Sequence, residues 1–371
     1  MSPAHAIISA ISERLEGFTR ARRREVELDE VFAGAPHGDP AALLLLEHAE
    51  QALAGGKRLR AQFAFWGWRA ATRTPGAPPA HVLDLGASLE VFQAAALVHD
   101  DIVDNSDTRR GRPASWRALE TAHDERGWSG SGEAFGRSGA ILLGDLLLGW
   151  SDDLLERALA ALDDARHADA ARAVYARMRR DVILGQFLDI AEESAWPTLP
   201  DEAHADRALR IAVLKSARYS VQQPLLIGAE LGGAEAHTRK SLTDIGPPLG
   251  LAFQLRDDVL GVFGDPVVTG KPSGDDLREG KRTLLVAYAR EGMDGSERKR
   301  FDSRLGADDL SDGEIAHLQD IVRASGALAR VEELISRQRG VAERALERAD
   351  LDETTSAELG ALLEAATART S

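Results

Sequence analysis

The chain has 371 residues, 44% of them hydrophobic and 28% charged, which allows one large domain or two and a sizeable core. Its formal net charge of -15 excludes non-specific nucleic-acid binding, which needs a basic surface, and the absence of cysteine excludes disulfides and thiolate metal sites. Aromatic residues make up only 5%, while Ala and Leu, strong helix formers, abound, so the composition points to an all-α protein.

The opening MSPAHAIISAISERLEGF has no basic start ahead of a long apolar core, so no export signal is expected and a cytoplasmic location is. Amphipathic spacing predicts a helix over 6–23. The next, over 41–55, starts after Asp39-Pro40 and stops at Gly55-Gly56, the Pro-first, Gly-last asymmetry of helices. Further helices are expected near 58–73, 80–105, 139–164, 168–192, 205–231, 236–263, 281–291, 311–324, 327–349 and 353–369, and no segment alternates as a strand would. Two stretches read as loops. Residues 123–139 are rich in Gly and Ser, while 265–281, DPVVTGKPSGDDLREGK, mixes Gly, Pro, Lys and Asp as a functional loop does. The longest apolar runs, such as GAILLGDLLLGW, are too short and interrupted to span a bilayer, so no stable membrane insertion is expected. Without internal repeats or a linker, the simplest organisation is one all-α domain over 1–371, with 1–40 as an N-terminal helical extension.

The chemistry concentrates in LVHDDIVDNSDTRRGRP, residues 97–113. Asp100, Asp101 and Asp104 close an apolar helix, and positions four apart share a face with Cβ atoms about 5–6 Å apart. Like charges there repel unless the face is solvated or a cation lies between them. The apolar VFQAAALV just upstream says the helix is buried, and buried carboxylates need partners or metal. Hard oxygen ligands in small number suit Mg²⁺ shared with phosphate. FQLRDDVLGVFGD repeats the arrangement, with Asp257 and Asp258 ending a second apolar helix and Asp265 following. Two such clusters point to a cavity with carboxylates on opposite walls. Basic residues accompany them: Lys57, Arg58 and Arg60 beside the glycine pair of GGKRLR, Arg109 and Arg110, Lys215, Lys271 and Lys281. Backbone near glycine can approach an anion closely, and arginine suits bidentate phosphate contacts.

These stretches, with GQFLDI, LKSARYSVQQPL and GKPSGDDLREGKRTLL, resemble the trans-type isoprenyl diphosphate synthases of the polyprenyl synthetase family, in the family's order from about residue 50 to 285. The resemblance implies a helical bundle around a deep central apolar cavity and a homodimer. It implies Mg²⁺-dependent head-to-tail condensation of isopentenyl diphosphate with an allylic diphosphate (dimethylallyl, geranyl or farnesyl). It makes Asp100 and Asp104, the outer members of the first motif around Asp101, ligands of Mg²⁺ bridging the allylic diphosphate. Asp257 becomes a further Mg²⁺ ligand in the second motif, which begins at Gln254. Arg109, Lys215, Lys271 and Lys281 match the allylic diphosphate site, with Ser216 where Ser or Thr is usual. Lys57, Arg60, Gln93 and Arg110 match the isopentenyl diphosphate site. One departure stands out: the usual third aspartate of the second motif is Gly261. Asp257 alone, Asp265 or water could serve; Asp257 alone is expected, because one helical ligand plus substrate oxygens and waters completes a Mg²⁺ shell.

The allylic tail is expected to run from Asp100 back along its helix. One turn, about 5.4 Å, approximates an isoprene unit. Small Ala96 and Ala95 leave the path open, Phe92 is expected to be its floor, and geranylgeranyl diphosphate the main product. Two alternatives share parts of the pattern. A class I terpene cyclase would not need GGKRLR or paired arginines, and a non-catalytic partner of a synthase would lose aspartates that are kept here. A ferritin-like di-iron reading of the two Glu-x-x-His pairs fails at Glu314, which stands three after Ser311 as in a capping box. His99 is read as a support beside the aspartates, not a ligand.

Overall fold

The computed structural model describes residues 3–32, 39–266 and 272–367, and it is helical nearly throughout, as the composition implies. The chain divides into two compact units, residues 1–65 with 74–168, and residues 66–73 with 169–371.

In the first unit, α1 (Pro3–Leu28) buries Ile7, Ile11, Leu15 and Phe18 at helical spacing. Helix α2 (Pro40–Leu53) begins where its Asp-Pro start predicts: Asp39 caps it, accepting from the Ala41 amide at 2.8 Å and the Ala42 amide at 3.2 Å. Helix α3 (Leu59–Thr72) opens in this unit and ends in the other, and α4 (Ala80–Val103) forms its core. A short hairpin, β1 (Thr108–Arg109) with β2 (Arg112–Pro113), leads to α5 (Ser115–Glu125) and α6 (Gly132–Ala160), and α4 packs along α6.

The hairpin and α5 fall where no element was expected, and α6 starts seven residues earlier than the pattern suggests. Its glycines read as loop but serve close packing. A Cβ on Gly136 would lie 2.3 Å from the Trp116 carbonyl oxygen, and one on Gly132 would lie 2.5 Å from Asp124 Oδ1. Helix α4 also corrects the reading of apolar runs. Among the described residues it alone is long and apolar enough to cross a bilayer, but 72% of that window is buried inside the protein, as in a core helix.

In the second unit, α7 (Ala165–Ala195, from Asp169 onward) leads to one continuous helical run. Its parts are α8 (His204–Ala212), a widened π-helical segment (Val213–Gln222) and α9 (Gln223–Leu231). The widening has a local cause: Pro224 carries no amide donor, and just before it the Gln223 amide reaches back five residues to the Arg218 carbonyl. Helix α10 (Ala236–Phe263) packs on the π segment and on the long C-terminal α15. The remainder comprises α11 (Asp275–Arg278), α12 (Leu284–Glu291), α13 (Gly295–Arg304), α14 (Asp312–Ala324), α15 (Ala327–Arg348) and α16 (Glu353–Thr367). Helix α13 was not expected; its signal is the capping box Asp294/Glu297, outweighed by the charged sequence that follows. The capping box Ser311/Glu314 is formed as read.

Candidate functional site

Helix α4 is buried on nearly every side as far as Val98, then turns polar. Asp100 and Asp104 lie half-buried on one face, the Asp104 amide capping the helix on the Asp100 carbonyl at 2.8 Å. Asp101 faces inward and is 2% exposed. The chain then reverses through Arg110 (φ 53°) and Gly111 (φ 72°), the two left-handed centres of a primed hairpin turn. That turn sends Arg109 back onto α4. Its Nε donates to Asp101 Oδ1 at 2.8 Å, its Nη2 donates to the same oxygen, and Nη2 stands 3.7 Å from Asp100 Oδ2. Asp101 is therefore an internal counter-ion, while Asp100 and Asp104 are the pair turned outward.

The same hairpin gathers cations. Arg110 keeps an exposed guanidinium against the GGKRLR turn: a Cβ on Gly56 would lie 3.3 Å from its Nη1, which also reaches the Ala54 carbonyl at 3.4 Å. Partial desolvation lowers the Arg110 proton affinity; Glu90 opposes this, and Arg109 and Arg60 lower it further. Three arginines held this close form a place where an anion is attracted. Arg58 turns the other way. It is buried, donates to the Leu53 carbonyl at 2.7 Å and stands 3.9 Å from Glu90, so it braces the turn. Lys57 is exposed, and its carbonyl accepts from Gln62 at 2.7 Å. A cleft of about 390 Å³ joins Gly55, Gly56, Leu97, Asp101, Arg109 and Arg110. Gln93 and Ala96 are half-buried on the Asp100 face of α4, whereas Phe92 and Ala95 are fully buried. His99 Nε2 lies 3.2 Å from the Ile141 carbonyl, and its ring covers Gly144, a packing support as expected.

In the second unit, Lys215 and Ser216 sit half-buried in the π segment. Lys215 Nζ donates to Asp189 Oδ2 at 2.6 Å. The contact depends on Gly185, one turn before Asp189, whose Cβ would lie 2.3 Å from the Lys215 backbone nitrogen. Buried Asp181, one turn earlier still, accepts from Arg218 at 3.2 Å and from Gln223 at 3.0 Å, tying α7 to the same segment. On α10, Asp257 is half-buried, and buried Asp258 accepts from Gln254 Nε2 at 2.7 Å. The Asp258 carboxyl is pushed up to about 8, by burial first, then by Asp276, with Asp257 and Asp189 adding to it. Lys281 Nζ stands 3.6 Å from Asp276 Oδ1 and pairs with Glu279. Asp265 is exposed, and Lys271 lies outside the described residues.

This donor set fits Mg²⁺. The candidate donors are carboxylates, the oxygen ligands that suit a hard divalent cation, and Asp276, Asp257 and Asp189 stand close enough to Asp258 to raise its proton affinity. Among the described residues no group of three or more acidic or histidine side chains is placed to hold a metal ion. Gly185, Asp189 and Asp276 join the site only through tertiary contacts. Their one sequence signal is that they lie in GQFLDI and GKPSGDDLREGK.

The family model for polyprenyl synthetases matches residues 43–322. A short chain isoprenyl diphosphate synthase of Methanocaldococcus jannaschii is 31% identical over 244 residues, 66% of each chain. A geranylfarnesyl diphosphate synthase of Aeropyrum pernix is 34% identical over 299 residues, 79% of this chain and 82% of that one. In structure, a geranylgeranyl pyrophosphate synthase of Corynebacterium glutamicum, complexed with isoprenyl diphosphate and magnesium, superposes with a TM-score of 0.88 at 36% identity over 98% of both chains. The chain belongs to the polyprenyl synthetase family and is a prenyltransferase of the trans-prenyl diphosphate synthase type.

Proposed function

We propose that this enzyme condenses isopentenyl diphosphate with an allylic diphosphate to give geranylgeranyl diphosphate, using Mg²⁺. The observation that carries the reading is the division of labour at the hairpin: Asp101 holds Arg109 in place, Asp100 and Asp104 turn outward, and Arg110 joins the GGKRLR turn. Arg109, Lys215 and Lys281, with Lys271, hold the allylic diphosphate, and Ser216 and Gln254 contact it. Lys57, Arg60, Gln93 and Arg110 hold the isopentenyl diphosphate. Asp100, Asp104 and Asp257 would hold Mg²⁺, which would neutralise charge on the departing diphosphate. Fixed cations and dipoles are the largest usual catalytic term, because they do not reorganise as charge develops. Asp189 keeps Lys215 extended for that role. The allylic cation forms against apolar side chains that exclude water, the isopentenyl double bond attacks it to form the new carbon–carbon bond, and the resulting cation loses a proton to the departing diphosphate, so no protein nucleophile is needed. We take the whole chain as one catalytic domain and the working unit as a homodimer; the exposed apolar stripe Ile183, Phe187 and Ile190 on α7 supports the latter.

Chain length follows from α4. Small, half-buried Ala96 shares the Asp100 face, and buried Phe92, two turns before Asp100, is taken as the floor of the tail's path. The likeness to the Corynebacterium enzyme supports a twenty-carbon product. The test is to incubate the protein with Mg²⁺, isopentenyl diphosphate and each allylic diphosphate in turn, and to size the products by mass spectrometry. Geranylgeranyl diphosphate is expected as the end product from every starter. A fifteen- or twenty-five-carbon end product refutes the length, and no turnover with any starter refutes the reaction.

A further inference from the structure

Position 261 lies one helical turn after Asp257 on the same face of α10, and it is glycine where the family resemblance leads one to expect a third aspartate. The volume a side chain would enter there is already filled. A Cβ on Gly261 would lie 2.0 Å from Asp276 Oδ2, 2.4 Å from its Cγ and 2.8 Å from its Oδ1.

The fold itself brings Asp276 to that place. Gly274 turns the chain at φ 77° into α11, so close to α14 that a Cβ would lie 2.3 Å from Ile315 Cγ2. Leu277, the next residue, is fully buried, and its carbonyl accepts from the Gly306 amide at 3.1 Å. Arg278 donates to the Leu310 carbonyl at 2.9 Å, and the Lys281 amide donates to the Asp276 carbonyl at 2.9 Å. Pinned on both sides, the Asp276 carboxylate meets α10 at Gly261.

We propose that Asp276 is the third carboxylate of the second motif, delivered from α11 instead of α10, and that position 261 is glycine to admit it. The carboxylate acts with Asp257 on the divalent cation of the diphosphate site. The inference rests on the proposed metal-dependent synthase and narrows that site's acidic set; it is an alternative to the expectation that Asp257 serves alone. It also explains why losing an aspartate from the helix need not cost the motif a charge.

Three variants of the full chain test it: D276N, G261A, and the swap G261D/D276A. Calorimetric titration with Mg²⁺ and inorganic pyrophosphate reads cation-dependent binding without turnover, and thermal melting confirms each fold. Support of a metal site is commonly worth ten- to a hundredfold in affinity, so D276N and G261A are expected to bind about tenfold more weakly or worse, and the swap to return to within about threefold of wild type. The loss in G261A is the sharper sign, because it removes no charge and only displaces the Asp276 carboxylate. Wild-type binding by D276N overturns the proposal, and so does wild-type binding by G261A. D276N is isosteric and decides alone if the swap fails to fold. A wild-type protein that makes no product would instead refute the proposed reaction, whatever the variants do.

Discussion

In α4 the second aspartate of the pair, Asp101, is 2% exposed and bonded to Arg109; in α10 the second aspartate, Asp258, is 8% exposed and bonded to the amide of Gln254, with Asp276, Asp257 and Asp189 nearby. Both helices reach that dipeptide through apolar sequence, and both bury the residue. What differs is the partner. A guanidinium favours the charged carboxylate, whereas crowding by other carboxylates favours the protonated one. The first cluster is thus balanced internally and leaves Asp100 and Asp104 to act outward. The second gathers Asp258 with Asp257, Asp189 and Asp276, of which Asp189 and Asp276 have Lys215 and Lys281 within reach. Burial and sequence pattern alone do not separate these cases; the residues supplied by the neighbouring hairpin and loop do.

The largest effects should come from the outward carboxylates of either region. Asp100→Ala and Asp257→Ala are expected to lower kcat by about 10²–10³, the scale of losing a preorganised electrostatic contact, while Asp265→Ala stays within about threefold. Steady-state assays at saturating Mg²⁺ check this, and equal losses in the Asp257 and Asp265 variants would break the assignment. The inward partners should separate next. Arg109→Gln leaves a buried carboxylate without its counter-ion and should cost about 3–5 kcal/mol in urea unfolding, whereas Gln254→Ala removes one hydrogen bond and should cost about 1 kcal/mol. Similar costs would remove the contrast. Gly185→Ala comes third. Its Cβ would lie 2.3 Å from the Lys215 backbone, and overpacking of this kind costs about 1–3 kcal/mol. Displacing Lys215 should raise the allylic KM more than the isopentenyl KM, and an equal rise in both would argue against the positioning role. Phe92→Ala should change product, not rate: chromatography of radiolabelled products should show longer chains, and an unchanged profile would place Phe92 in ordinary core.

Most of the helices were legible because their apolar residues recur at helical spacing and their ends carry caps; the Asp39-Pro40 start and the run 236–263 are found where the pattern puts them. The hairpin was not, because two-residue strands are too short to alternate, and its turn is set by backbone at Arg110 and Gly111. The start of α6 was hidden because glycines that admit α5 look the same in sequence as loop glycines. In the site, motif aspartates and arginines were legible as charges out of place in apolar settings. Their partners were not. Asp189 reaches Lys215 across 26 residues of sequence, and Asp276 on α11 meets Gly261 on α10, contacts that only packing creates.

The proposed function has both carboxylate sets serve one event, departure of the allylic diphosphate. Rapid-quench single-turnover measurement of allylic diphosphate consumption, at saturating substrates and Mg²⁺, tests it in wild type, Asp100→Asn and Asp257→Asn. The account predicts that each variant slows the single-turnover rate by about a hundredfold or more. A variant that loses only substrate affinity and keeps the wild-type single-turnover rate would contradict it.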